Sequence, residues 1–174
     1  RQSSSAQSGI TLDTTTASSG QAVLRVAASG VSAGTYFETI TARDNVGATT
    51  TSVFTVVVNP APTLAGSRTV SGGTLATTLG FATTETITVS GGTGNKTFTL
   101  TQGAVSSAGI TLDTTTANSG FVVLRVGNNV TANTYLETIT ATDTRGSSVT
   151  YFFRVTVNPI ISIDGATSSS FATP

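Results

Sequence analysis

An internal repeat of about 100 residues is the feature that most limits what this chain can fold into. Residues 9–17 recur unchanged as residues 109–117. Over a longer block, residues 9–26 match residues 109–126 at 15 of 18 positions. A period of this length fits one small domain per repeat, so the 174 residues hold parts of more than one domain.

A second block recurs with an offset of 99 instead of 100. Residues 36–44 correspond to residues 135–143, and both copies close with Val-Asn-Pro, at Pro60 and Pro159. One residue is therefore lost in the loop between the two blocks. Because each Pro ends a strand and the next repeat follows at once, the short linker predicts a stiff array.

The repeat also predicts the domain boundaries. Residues 60–159 form one complete repeat, residues 1–59 correspond to the last three-fifths of a repeat, and residues 160–174 resemble the first strand of a further one. Two interpretations follow. The chain is a window on a longer array, or it is a subunit whose incomplete domain is completed by a neighbour.

Composition and alternation predict an all-β chain. Thr occurs 38 times and is β-branched, the hydrophobic fraction is 37%, and apolar residues alternate with polar ones between Gly-containing turns. This pattern argues against disorder. We predict tandem immunoglobulin-like β-sandwiches with about seven strands per complete repeat. The strands are expected near residues 63–65, 85–89, 96–101, 110–112, 122–126, 134–142 and 149–157.

Composition excludes several classes of function. The chain has no His and no Cys, which removes zinc fingers, thiol nucleophiles and the Ser-His-Asp triad. Eight basic residues balance eight acidic ones, so no electrostatic surface for nucleic acid is expected. No apolar run approaches the roughly 20 residues of a membrane span, so no membrane insertion of this segment is expected. We therefore expect no enzyme.

Four short motifs carry a resemblance to a known family. Gly-Ile-Thr-Leu-Asp, Gly-Thr-Tyr at residues 34–36, Ile-Thr-Ala-x-Asp-x-x-Gly and the closing Phe-x-Val-x-Val-Asn-Pro occur in this order. The pattern resembles the Ig-like tandem repeats of bacterial surface proteins, which are similar to cadherin-like and dystroglycan-type domains. The resemblance covers residues 9–60 and 60–159, although Asn133 stands where the family often has Gly. It implies secreted adhesins, surface fibres and envelope layers.

Two acidic residues fall on apolar faces. Alternation places Glu38 on the face of Tyr36 and Ile40, and places Glu137 on the corresponding face of the second copy. A buried carboxylate needs a partner or must be protonated. We predict that both lie near the end of a sheet, paired or partly hydrated. Arg25 and Arg125 are potential partners, but alternation points them outward.

The resemblance implies a sharper alternative, an intramolecular isopeptide bond. Some surface Ig-like domains join a Lys on an early strand to an Asn on the last strand, beside a buried acid. The corresponding residues here would be Lys96, Asn158 and Glu137.

Ligand and modification sites are less well defined. The resemblance to cadherins makes calcium a candidate, yet the Asp residues are scattered singly, so we expect no cofactor. Asp44 and Asp143 are better explained as turn caps. Asn95 and Asn129 begin sequons that glycans could occupy.

The predicted function is a non-enzymatic repeat of an extracellular bacterial fibre, sheath or layer. Its partner is another copy, through lateral packing or strand exchange, and Ile161, Ile163 and Phe171 would mark the exchanged strand. The alternative is an adhesin module that binds a carbohydrate or a protein through its loops. A third alternative is an accessory domain of an enzyme whose catalytic part lies elsewhere.

Overall fold

A computed structural model describes residues 2–3 and 9–162, and strands account for about half of these residues. The chain divides into two units, residues 1–61 and residues 62–174. Along the described residues there is no α-helix, and the two 3-10 turns, Ala17–Ser19 and Ala117–Ser119, occupy the same position in the repeat.

The described residues of the first unit form five strands in two separate sheets. They are β1 (Gln2–Ser3), β2 (Ile10–Asp13), β3 (Val23–Val26), β4 (Gly34–Arg43) and β5 (Thr49–Val58). One sheet has the order β1-β4-β5, and β2 pairs with β3 in the other. All of these pairs are antiparallel, and β4 and β5 form a long hairpin.

In the second unit, residues 62–162 form a sandwich of two four-stranded sheets. Its strands are β6 (Thr63–Gly66), β7 (Thr74–Thr78), β8 (Thr83–Ser90), β9 (Thr97–Gln102), β10 (Ile110–Asp113), β11 (Phe121–Val126), β12 (Asn133–Thr142) and β13 (Ser148–Asn158). The sheet orders are β10-β11-β8-β6 and β7-β13-β12-β9. Every pair is antiparallel except β7 with β13, which are parallel.

The all-β prediction is confirmed, and all seven predicted strands are present in the second unit. The structure adds an eighth strand, β7, in a stretch for which no strand was predicted. Of its five residues only Leu75 is fully buried, so its alternation is too short to be distinctive. Its pairing partner β13 lies about 80 residues further along the chain, where no turn could signal the pairing.

The core of the second unit lies between its two sheets. Alternate residues of each strand point inward, as the period of two requires. The inward side chains of β11, β12 and β13 are almost completely buried. The fully enclosed members of this cluster include Ile87, Val122, Leu124, Val126, Tyr135, Ile139, Phe153 and Val155.

The turn after β12 is organised by Asp143, as predicted. One carboxylate oxygen accepts hydrogen bonds from the backbone N–H groups of Arg145 and Ser147, each at 2.9 Å. The other accepts from the N–H of Thr93, and this bond lowers the pKa of Asp143. Gly146 supplies the positive φ of 84° that closes the turn. Asp44 caps the equivalent turn of the first unit.

Candidate functional site

Two carboxyl groups lie inside the protein at equivalent positions of the repeat. Glu137 is 1% exposed and Glu38 is 0% exposed. Glu137 lies on the inner face of β12, between Tyr135 and Ile139, and its backbone stands opposite Phe153 of β13. It is therefore surrounded by core side chains.

Gln102 is the polar neighbour of Glu137. It is the last residue of β9 and stands opposite Glu137 in the β9–β12 pairing. Its amide nitrogen lies 3.5 Å from one Glu137 oxygen, but it also donates to the carbonyls of Ser107 at 3.1 Å and Ile110 at 3.3 Å. The contact with the carboxyl group is the longest of the three, so it is the weakest.

Burial therefore dominates the chemistry of Glu137. The other carboxyl oxygen of Glu137 has no hydrogen-bond partner among the described residues. Desolvation raises its pKa to about 7, and the hydrogen bond from Gln102 opposes this rise only in part. The group is thus half-protonated near neutral pH, whereas an exposed Glu would be ionised.

Glu85 is a third buried acid, which the sequence analysis missed. It lies on the inner face of β8 and is 0% exposed. One of its oxygens accepts three hydrogen bonds, from the N–H of Arg68 at 2.9 Å and from the N–H and hydroxyl of Thr69 at 3.0 Å each. Alternation with Ile87 placed Glu85 on the same inward face, so the signal was present in the sequence.

A buried hydroxyl pair joins Glu85 to the opposite sheet. The Tyr151 hydroxyl donates to the carbonyl oxygen of Thr69 at 2.6 Å and lies 2.9 Å from the Thr69 hydroxyl. Gly66 makes this packing possible, because a Cβ there would lie 2.8 Å from the Thr69 carbonyl oxygen and 2.5 Å from Glu85 Oε1, and would also collide with the Tyr151 hydroxyl. This hydrogen-bond network connects β8 and the segment after β6 to β13 in the opposite sheet.

We expect Gly66→Ala to destabilise the second unit by about 2 kcal/mol, because the new methyl group displaces buried hydrogen-bond partners. Urea denaturation measures this loss. Tyr151→Phe removes the hydroxyl that the methyl group meets, so the double variant should lose less than the sum of the two single losses. Strictly additive losses would contradict this account of Gly66.

The side chains of Arg25 and Arg125 form ion pairs with two other acidic residues, Asp13 and Asp113. Arg125 donates from Nη2 to Asp113 at 2.7 Å, and Arg25 makes the same contact with Asp13 at 2.8 Å. These ion pairs lie on the surface, as alternation predicted. The Thr115 hydroxyl, followed by Arg125, holds the pKa of Asp113 well below its usual range.

The structure does not bring together the three residues of the proposed isopeptide bond. Lys96 precedes β9 beside Asp143, at one end of β12. Asn158 ends β13 at the opposite end of β12, where its amide nitrogen donates to the Thr77 carbonyl. The length of β12 separates the two residues by about 30 Å, so this geometry is incompatible with the bond.

The remaining predicted sites fall partly outside the described residues. Ile161 is 90% exposed and lies beyond the last strand, whereas Ile163 and Phe171 lie outside the part of the chain that the structure describes. Along residues 2–3 and 9–162, no three acidic side chains cluster as metal ligands would. No helix in those residues is long and apolar enough to cross a membrane.

Exposed apolar residues recur on the outer face of both long hairpins. We call them the hairpin patch: Phe37 and Val53 in the first unit, Leu136 and Phe152 in the second. All four side chains are more than half exposed. In both units the two patch residues are diagonal neighbours on paired strands, so their side chains lie within reach of each other.

Comparison with known proteins identifies the fold class. No protein-family model matches the chain, and no curated protein matches it. Among solved structures, a variant of a titin fragment of three Ig domains is similar with a TM-score of 0.55 and 13% identity. The match covers 91% of this chain and 54% of that one, so this chain spans about half the length of the fragment.

A second similar structure is a chimeric titin Z1Z2 protein that carries a peptide from decorin. It has a TM-score of 0.46 and 18% identity, and the match covers 60% of this chain and 100% of that one. With such low identities, the comparisons concern the fold alone. Together with the sheet topology, the three-domain titin fragment shows that this chain has an Ig-like β-sandwich fold.

Proposed function

We propose that this chain is a non-enzymatic structural module of an extracellular surface fibre, sheath or layer, of the kind that bacteria build from tandem Ig-like repeats. The observation that carries the proposal is the hairpin patch. Its positions are the same in both units, and they stay apolar although the residues differ: Phe37 corresponds to Leu136, and Val53 to Phe152.

Such a patch favours lateral contact between copies. Single exposed apolar residues are ordinary, but adjacent ones that recur at one place in a repeat favour a surface that is covered in an assembly. Charged residues make up only 9% of the chain and sum to zero net charge, so repulsion between copies is small. The hairpins therefore present an exposed apolar surface, and the low charge of the chain opposes association of copies only weakly.

Sedimentation velocity of the full chain over a range of concentrations tests this proposal. We expect reversible association, weakened at least tenfold when Phe37, Val53, Leu136 and Phe152 are all replaced by Asp. The matched control is Val46→Asp, because Val46 is 84% exposed but lies in a turn outside the patch. A chain that stays monomeric, or one in which the Val46 variant weakens association as strongly, would refute the lateral role.

A further inference from the structure

Part of the inner face of the first unit is open, although its residues match a closed core and Glu38 on β4 stays buried. Val26 is 45% exposed, whereas its equivalent Val126 is 1% exposed. Phe54 is 45% exposed, whereas its equivalent Phe153 is 2% exposed. We use the term inner face for these side chains of β3, β4 and β5, which point the same way as their buried equivalents in the second unit.

The second unit shows what covers the equivalent surface. There β8 pairs with β11 along six residues, with Ile87 opposite Val122, and places Ile87 and Val89 over the core. On the other sheet, β9 pairs with six residues of β12. The covering strands thus belong to the continuous segment that runs from β6 to β9.

The first unit has little of this cover among its described residues. Within residues 9–162, β3 pairs with β2 alone, and no strand of that range lies beside the edge that β8 occupies in the second unit. Next to β4, β1 forms only two pairs, opposite Thr39 and Ile40. An open strand edge beside an apolar face is the arrangement that binds an added strand, because backbone hydrogen bonds and side-chain burial form together.

We infer that the inner face of the first unit binds a polypeptide segment with the strand pattern of residues 62–102, the half-repeat that covers the second unit. The whole half-repeat is required, because β8 carries the buried Glu85, whose hydrogen-bond donors are Arg68 and Thr69. These donors arrive with the same segment. The first unit has Ser52 where the second has Tyr151, so a bound half-repeat would keep the hydrogen bonds from its own Arg68 and Thr69 to Glu85 and would lack the contact with the Tyr151 hydroxyl.

This inference shares one premise with the proposed function, which is that the module binds other polypeptides. The two proposals use different surfaces. Lateral packing uses the outer hairpin patch, and strand binding uses the inner face. Replacement of Leu136 by Asp should therefore weaken association of the chains without changing strand binding.

Fluorescence anisotropy with a labelled synthetic peptide of residues 62–102 and the full 174-residue chain tests the inference. We expect saturable binding with one peptide per chain. A peptide carrying Ile87→Asp should bind at least tenfold more weakly, and this change leaves the chain itself unaltered. In the chain, Leu24→Asp on the inner face should abolish binding, whereas Phe37→Asp on the outer face should not.

Several results would overturn the inference. Among them are the absence of saturable binding, equal binding of the Ile87→Asp peptide, and tighter binding after removal of residues 160–174, which would identify that tail as the occupant. Dimerisation of the chain that Leu24→Asp abolishes would assign the face to a second copy instead.

A chimera tests the same inference without a free peptide, so aggregation of the peptide cannot affect the result. Residues 62–101 are placed directly ahead of residue 2, which preserves the 100-residue period. Hydrogen exchange of β3 should then slow at least tenfold, and the same chimera with Ile87→Asp in the added segment should show no slowing. Equal exchange in the two chimeras would refute the inference.

Discussion

Replacement of Phe153 by Ala should cost the second unit about 3–5 kcal/mol of stability, the range for loss of a buried aromatic ring. Phe153 is 2% exposed and packs at 5.7 Å, ring centre to ring centre, against Tyr151. Both sheets of this unit are four-stranded, so neighbouring strands restrict collapse around the cavity.

The repeat offers a matched control for this substitution. Phe54 is the equivalent residue in the first unit, and because it is 45% exposed its replacement by Ala should cost only about 1 kcal/mol. Hydrogen exchange during urea unfolding separates the two units, because peptides from each report its own opening. Equal losses would show that the inner face of the first unit is covered in solution.

Glu137→Gln should remove a pH dependence of stability from the second unit. Folding raises the pKa of this carboxyl from 4.5 to about 7, so the folded state binds the proton more tightly than the unfolded state does. Its contribution is complete below pH 4.5 and is lost as the pH rises to about 7. At 1.36 kcal/mol per unit, the loss is about 3 kcal/mol.

The measurement is urea denaturation of both proteins between pH 4 and pH 8. The difference between the wild-type and Glu137→Gln profiles isolates this one group, because every other group is common to both. It should change by about 3 kcal/mol across the window, in favour of the variant at high pH. A constant difference would show that Glu137 titrates normally.

Asp113→Asn is the control for the Glu137→Gln experiment, because it also removes one carboxylate but from an exposed ion pair. The pKa of Asp113 is lowered by its hydrogen bonds from Thr115 and by Arg125, so its contribution to stability is present above the ordinary Asp value and is lost only in more acidic solution. This variant should shift stability by a constant amount between pH 4.5 and pH 8. Its profile should therefore run parallel to that of the wild-type chain.

The sequence predicted the strands in which one face is buried in the core and the other face is exposed. In β11, β12 and β13 the inward positions alternate over six or more residues, and the structure buries them as expected. Turn chemistry was equally local, because Asp143 and Gly146 act within five residues of each other. Such features can be predicted from the sequence without knowing which strands pair.

The sequence could not predict features that depend on pairing between distant strands. The parallel partner of β7 lies about 80 residues away, and the separation of Lys96 from Asn158 follows from the register of β9, β12 and β13. Two residues that are suitable by type and face can still lie at opposite ends of a sheet. Gln102 was missed for the same reason, since only the β9–β12 register places it beside Glu137.

The parallel pairing of β7 with β13 determines how the second unit would respond to tension. Residues 74–78 run alongside residues 154–158 in the same direction, so once β6 has separated from β8, a pull on the two ends of the unit loads these strands in shear. Their hydrogen bonds must then break together, whereas the bonds of a hairpin pulled open at its ends would break one after another. The short strand β7 therefore makes the second unit resist stretching.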